Sequence, residues 1–313
     1  MSKYCLSCGK ALNPLEEMVG YHPACLKRLF ASPKPPLLEL DQASLKALAE
    51  SSLKAGKSLP GVQEKLSLHL SDLKARKKLT IVGAPLGYIC KPPSSRFPAL
   101  PESEALVMTL ADLVGLPTCP HGLLPDQDGR LCYITRRIDR AAGHKIAMED
   151  FCQLSGLPAL DKYRTSYESC GQIITAYSYR PLLDKETFFY EVLFCFVTLN
   201  NDMHLKNFSL YEKTPGRYEL TPAYDLLPTG LLNPNDKEEL ALTCHGKKKG
   251  LTVKDFLFLA DHLGISETVA RGFMARLVSQ ESTLLAAISR SFLPPALKTA
   301  FATALQERLQ VLV

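Results

Sequence analysis

The stretch NNDMHLKNFSL (residues 200–210) decides how this chain is read. It follows FFYEVLFCFVTL (188–199), a run that is apolar on nearly all sides of a helix, and such a helix belongs inside a core. Within eight positions the chain then delivers Asn200, Asn201, Asp202, His204, Lys206 and Asn207. A buried helix that unloads six polar side chains at one end acts as a rigid post. Its end is the place to look for chemistry.

The rest of the composition sets bounds on that chemistry. The chain has 313 residues, enough for one large domain or two ordinary ones, and 46% are hydrophobic, which supports a sizeable core and argues against wholesale disorder. Lys and Arg number 37 against 32 Asp and Glu, a net charge of +5. That balance permits an acidic partner such as a nucleotide and does not demand a nucleic acid. The ten cysteines are spread along the chain, and the N-terminus MSKYCLSCGK has no apolar signal core. No stretch reaches the roughly 18 uncharged apolar residues of a membrane span, and Glu191 interrupts 188–199. These features predict a cytoplasmic protein with reduced or metal-bound thiols and no membrane partner.

The pattern along the chain predicts an α+β protein of two lobes. A separate segment, 1–36, ends in SPKPP (32–36). A strand-rich lobe, 37–140, follows, with a helix at 41–56, a loop KSLPGVQ (57–63), strands at 64–71 and 86–91, a helix at 102–116 stopped by Gly115 and Pro117, and a strand pair at 121–126 and 131–138. The remainder, 141–313, reads as an all-helical lobe with helices at 148–156, 166–180, 184–200, 252–264, 266–290 and 293–311. One short hairpin, FSLYEKTPGRYEL (208–220), turns on Thr214-Pro215-Gly216-Arg217. A cleft between two such lobes is a common place for a ligand.

Three items suit phosphoryl transfer from ATP. That chemistry needs a carboxylate to hold the attacking hydroxyl, hard oxygen ligands for Mg2+, and a fixed cation against the phosphates. Asp202-x4-Asn207 has the Asp/Asn spacing of a kinase catalytic loop. Asp225, in TPAYDLLP (221–228), follows the hairpin 18 residues after Asn207. Lys91 ends a strand, and Glu104 lies one turn into the next helix, where it can pair with that lysine. Each item alone has a plainer explanation: a self-capping helix end, a surface lysine, or an acid favoured by a helix dipole. Their order along the chain gives them weight together.

NNDMHLKNFSL, TPAYDLL, SLPGVQEKL, RRIDR and MEDFCQLSGLPALDKY together resemble the HipA family of bacterial serine/threonine kinase toxins, over about residues 57–290. The chain lacks HipA's additional N-terminal subdomain. In this it is similar to the short HipT type of three-part HipB–HipS–HipT systems. The resemblance implies a two-lobed, protein-kinase-like fold and a toxin of a type II toxin–antitoxin system that phosphorylates proteins. By family precedent the target is an aminoacyl-tRNA synthetase. It makes Asp202 the catalytic aspartate, Asn207 and Asp225 the Mg2+ ligands, and Lys91 the phosphate-binding lysine, with His204 and Lys206 near the phosphates. It assigns adenine to the backbone of Arg136 to Ile138 and the ribose to Asp139; HipA carries Glu where this chain has Arg136. Ser58 matches the family's autophosphorylated serine, and Pro60 replaces the second serine of HipT-type loops. The implied partners are HipS-like and HipB-like antitoxins, with DNA reached only through the antitoxin. The readings left open beside this are a small-molecule or lipid kinase, and a catalytically dead, zinc-bearing interaction module.

Cys5-x2-Cys8-x13-His22-x2-Cys25 is a separate signal. Three thiolates and one imidazole in two close pairs suit a structural, tetrahedral Zn2+. A bound metal would fold a segment too short to build a core alone. The competing reading is an apolar arm whose cysteines pack. The seven remaining cysteines are assigned to packing, and the lysine run 247–249 to a solvated loop.

Overall fold

The structure, a computed structural model of the chain, describes residues 2–40, 65–71, 77–80, 86–94, 96–141 and 144–313. The expected helix at 41–56 and the loop bearing Ser58 lie outside the described residues. Contacts divide the chain into two compact units. One comprises Met1–Thr109, Cys119–His144 and Arg290–Leu293; the other comprises Leu110–Thr118, Lys145–Ser289 and Pro294–Val313.

The first unit begins with two short helices, α1 (Pro14–Glu17) and α2 (Pro23–Phe30). Both start on a proline at the first turn, where a missing N–H costs nothing. Asn13 caps α1 in a reciprocal box with Glu16. Six strands follow: β1 (Leu37–Leu38), β2 (Leu66–Ser71), β3 (Lys78–Thr80), β4 (Leu86–Lys91), β5 (His121–Pro125) and β6 (Leu131–Arg136). They form one sheet in the order β1-β3-β2-β4-β6-β5, antiparallel except for the β1–β3 pair. The strand pair read at 121–126 and 131–138 is the β5–β6 ladder, with Leu123 opposite Tyr133. Helix α3 (Leu100–Val114) runs between β4 and β5 in sequence, and β7 (Arg140–Ala141) pairs with β8 (His144–Lys145). The sheet and α2 share a core that includes Leu26, Leu29, Phe30, Leu68, Leu79, Tyr88, Cys90, Cys132 and Ile134. At about 25 cal/mol per Å² of apolar surface removed from water, this burial contributes to holding the first 36 residues to the sheet.

The second unit is mainly helical: α4 (Phe151–Leu154), α5 (Tyr167–Tyr177), α6 (Pro181–Val197), α7 (Thr229–Leu232), α8 (Val253–His262), α9 (Glu267–Ser279), α10 (Glu281–Arg290) and α11 (Pro295–Val311). It is not wholly helical. The hairpin read at 208–220 is present as β10 (Ser209–Thr214) and β11 (Arg217–Leu220). A third strand, β9 (Met148–Asp150), joins it along β10. The sequence pattern placed residues 148–150 inside a helix; pairing with β10, some 60 residues on, overrides that local preference. The pattern at 266–290 also reads as one helix, but the chain breaks at Gln280 into α9 and α10.

Phe151, Tyr167, Phe188 and Phe208 form an aromatic cluster with centroids 4.9–6.3 Å apart, and Phe196 packs on Phe256 at 5.0 Å. Every residue of α6 from Phe188 to Val197 is buried. Its first turn is anchored by Asp184, which accepts from Ser178 Oγ (2.6 Å), Arg180 Nε (2.9 Å) and the Leu220 amide (2.8 Å). Among the described residues no helix is long and apolar enough to cross a membrane.

Candidate active site

The greasy helix α6 stops three residues before Asn200. The Asn200 amide donates to the Cys195 carbonyl at 2.8 Å and the Leu199 amide to that of Phe196 at 3.4 Å. This is the paired closure of a Schellman motif. Leu199 therefore takes the left-handed position, at φ 57°, where glycine is the usual occupant. Its carbonyl in turn accepts from the Gly230 amide at 2.9 Å. A Cβ at Gly230 would lie only 3.3 Å from that oxygen, so the approach suits a residue without one.

Beyond this closure the polar residues separate into supports and working groups. Asn200 Oδ1 accepts from the Asp202 amide at 3.3 Å, and Asn201 Nδ2 donates to the Glu238 carbonyl at 3.1 Å. Both asparagines are buried and brace the loop. The Tyr163 hydroxyl donates to Asp202 Oδ1 at 2.5 Å, and the Tyr163 ring meets the His204 ring edge-on with centroids 4.9 Å apart. Burial, followed by the bond to Asp202, pushes the Tyr163 phenol well above its ordinary value, so it stays a donor. Lys162 Nζ and Lys248 Nζ lie 5.0 and 6.0 Å from the same ring centroid.

His204 Nδ1 accepts from the Lys206 amide at 3.3 Å and so caps the short turn Leu205–Asn207. Burial pushes this imidazole down to about 4, against the opposing pull of Asp202 and, more weakly, Asp225. Both carboxylates therefore act on one ring, which is neutral near pH 7. Asn207 is buried, and its backbone N–H donates to the His204 carbonyl at 2.9 Å. Lys206 is turned toward Asp150, with Nζ 2.8 Å from Oδ2 of that helix-capping carboxylate.

Asp225 has φ 58°, rare for a non-glycine residue. Such conformations persist only where surrounding contacts hold them, and they cluster at functional sites. The preceding residue supplies part of the hold: Tyr224 Oη lies 2.6 Å from Ser209 Oγ and 3.3 Å from the Lys206 carbonyl oxygen. The Ala223 amide donates to the Pro117 carbonyl at 2.8 Å. The hairpin thus returns the chain so that Asp225 shares the surroundings of His204. Asn207 and Asp225 offer an amide oxygen and a carboxylate, a donor set that fits a hard divalent cation.

The first unit holds the other sequence candidates. Lys91 Nζ lies 2.6 Å from Glu104 Oε1, with both side chains almost wholly buried, and 5.5 Å from the Tyr133 ring centroid. Arg136 ends β6 with its side chain exposed, and its amide donates to the Pro120 carbonyl at 2.9 Å. Ile138 is half-buried beyond the strand. Asp139 is clasped by Arg137, with Nε at 2.8 Å and Nη2 at 2.7 Å, and by Arg140 Nη1 at 2.5 Å. Burial works to raise the Asp139 carboxyl, but the two guanidiniums outweigh it and hold the group below its ordinary value.

The four N-terminal candidates also come together. One ligand atom from each of Cys5, Cys8, His22 and Cys25 lies within 4.8 Å of every other, a group that could hold a metal.

Some participants escaped the sequence reading. Tyr163 ends the motif MEDFCQLSGLPALDKY, so a signal existed, but nothing local told that its hydroxyl reaches Asp202. Two of the three lysines at 247–249 are also more than solvated: Lys247 pairs with the buried Asp255 at 2.7 Å, and Lys248 faces Tyr163.

Comparison with known proteins places these features in context. A family model described as the HipA-like C-terminal domain matches residues 57–284. A Sinorhizobium fredii protein named "Putative kinase Y4mE" is 32% identical over 271 residues, which cover 80% of this chain and 63% of that protein. The chain therefore spans less than two thirds of that relative's length. A chain of the Shewanella oneidensis MR-1 complex of HipA, HipB and operator DNA superposes with a TM-score of 0.68 at 21% identity, over 81% of this chain and 64% of that one. The Helicobacter pylori proinflammatory kinase CtkA superposes with a TM-score of 0.53 at 16% identity, over 72% of this chain and 86% of that one. The α+β architecture, a strand-rich sheet with many helices, is that of these kinase-like folds.

Proposed function

The chain belongs to the HipA-like C-terminal domain family, and from that premise we propose that it is a kinase that transfers the γ-phosphate of ATP to a serine or threonine hydroxyl of a protein. The observation that carries this reading is the loop at the end of α6, where Asp202 accepts from Tyr163, His204 caps the turn that holds buried Asn207, and Tyr224, next to the left-handed Asp225, bonds the Lys206 carbonyl of that same turn.

Asp202 is the group that receives the hydroxyl proton. With Oδ1 bonded to Tyr163, Oδ2 takes this task. The hydroxyl oxygen forms its bond to the γ-phosphorus as its proton passes to Asp202. The bond from that phosphorus to the β–γ bridging oxygen breaks, and ADP leaves. Asn207 and Asp225 would hold Mg2+, which would neutralise charge on the phosphates. Lys91, kept in place by Glu104, is the phosphate-binding lysine that the family resemblance supplies. Neutral His204 offers a hydrogen bond near the phosphates, and Lys206 a charge once it leaves Asp150. The backbone from Arg136 to Ile138 receives adenine. Asp139 receives the ribose, in exchange for part of its present clasp by two arginines.

On the family resemblance, the chain acts as the toxin of a type II toxin–antitoxin system. It autophosphorylates on Ser58 and is neutralised by HipS-like and HipB-like partners, and through such a partner it meets DNA. An aminoacyl-tRNA synthetase is the target class that the resemblance supplies.

The test is incubation of the purified chain with Mg-ATP and cell lysate, followed by phosphosite mapping, beside an Asp202→Asn control. New phosphate on Ser58 and on a serine or threonine of a lysate protein, absent from the control, is the expected result. No transfer to either, or equal transfer by the control, rejects the assignment.

A further inference from the structure

We propose that Cys5, Cys8, His22 and Cys25 bind one Zn2+ ion, and that this ion staples the N-terminal segment over the open edge of the six-stranded sheet. The inference is independent of the kinase reading.

The donor spacing is that of a tetrahedral zinc site. Bonds of about 2.3 Å to sulfur and about 2.0–2.1 Å to nitrogen set neighbouring donors roughly 3.6–3.8 Å apart. His22 Nδ1 lies 3.4 Å from Cys8 Sγ and 3.9 Å from Cys25 Sγ, and all four donors fall within 4.8 Å. The imidazole is set for the task. Its Nε2 lies 3.0 Å from the Ala11 carbonyl oxygen, to which it can only donate. That bond leaves the Nδ1 lone pair facing the two sulfurs, which is how a backbone carbonyl orients a metal-bound histidine.

The backbone around the donors is equally committed. The Gly9 amide donates to the Cys5 carbonyl at 3.0 Å and the Cys5 amide to that of Lys10 at 2.9 Å. This tight turn uses Gly9 at φ 65° and points both of its cysteines the same way. His22 sits at the N-cap position of α2, so Cys25 occupies the helix's first turn, where unpaired amides and the helix dipole favour a thiolate.

The location gives the ion its role. Strand β5 is an outer strand of the sheet, with its outward amides and carbonyls in need of partners. The turn between Cys5 and Cys8 supplies them. The Leu123 amide donates to the Leu6 carbonyl at 2.7 Å, and Ser7 Oγ donates to the His121 carbonyl at 2.8 Å. The Tyr21 hydroxyl bonds the Leu123 carbonyl. Gly122 permits the approach, since a Cβ there would lie 3.1 Å from the Leu6 oxygen. Thr109 Oγ1, on the same helix as Glu104, reaches the Ser7 carbonyl at 3.3 Å. A metal that fixes this turn therefore fixes the edge of the sheet and the helix that carries the partner of Lys91.

The test uses the full chain purified without chelator. Elemental analysis is expected to find one zinc per chain, and exchange for Co2+ to give the visible absorption of a tetrahedral thiolate-bound cobalt. Cys8→Ser and His22→Ala, at partly exposed positions, are expected to lose at least nine tenths of the bound metal. Cys119→Ala, outside the four-ligand group, keeps it. Hydrogen exchange read with and without zinc is expected to show at least tenfold faster exchange of the Leu123 amide after removal. Wild-type chain that remains below one zinc in ten after dialysis against the ion, or metal retained by both ligand variants, overturns the site. Full occupancy with unchanged exchange at Leu123 overturns the staple.

Discussion

The Tyr163 hydroxyl donates to Asp202 Oδ1 at 2.5 Å across 39 residues of sequence. It fixes the rotamer of the carboxylate from which the proposed proton transfer proceeds. Hydrogen bonds to charged groups contribute about 1.5–3 kcal/mol, or roughly a tenfold to hundredfold change in an equilibrium or rate. Tyr163→Phe is expected to lower the phosphotransfer kcat/KM within that range, mainly through kcat. An unchanged rate in steady-state kinetics would show that Asp202 does not depend on this bond.

Asn207 and Asp225 predict the metal dependence. Asp225→Asn removes the proposed charged ligand and keeps the shape, so half-maximal activity is expected at a Mg2+ concentration at least tenfold higher. Asn207→Ala should act in the same direction. Mg2+ titrations of the three proteins check this, and superimposable curves would remove both residues from the metal site.

The Lys91–Glu104 pair predicts a stability cycle. Both side chains are nearly inaccessible, and the ammonium lies 2.6 Å from the carboxylate. Removing one member of a buried pair typically costs about 3–5 kcal/mol, whereas replacing both with apolar groups is often neutral. Lys91→Met is thus expected to destabilise the chain strongly in urea unfolding. Lys91→Met with Glu104→Leu should recover most of that stability and none of the phosphate transfer.

Glu191 predicts a pH effect inside α6. Its Oε1 finds no hydrogen-bond partner among the described residues, and burial pushes the carboxyl up to about 8 from an ordinary 4.5. The folded state then keeps a proton that the unfolded chain releases. Stability should fall as pH rises between those two values, by on the order of 3–5 kcal/mol over the whole window. Glu191→Gln is expected to flatten this slope in denaturation curves taken from pH 5 to 8. A slope that survives the substitution would trace the effect to another group.

What could be read from the chain alone followed the range over which each cause acts. The apolar run 188–199 and the Thr-Pro-Gly-Arg turn are local, and each appears where its pattern put it. The Cys5, Cys8, His22 and Cys25 set was legible because ligand spacing is itself a local code. Misread elements had distant causes. Met148–Asp150 became a strand because β10 offered it a ladder, and the pattern at 266–290 gave no notice of the break at Gln280.

By itself the sequence determined which residues carry oxygen, sulfur and charge, and it determined the order in which the chain presents them. Tertiary structure alone decided that Tyr163 reaches Asp202, that Lys206 faces Asp150, that Asp139 is held by two arginines, and that the cysteine turn covers β5. The physical reason is that periodicity and spacing encode neighbours within a few turns of chain. A hydrogen bond between residues tens of positions apart exists only after burial elsewhere has offset the entropy of bringing them together.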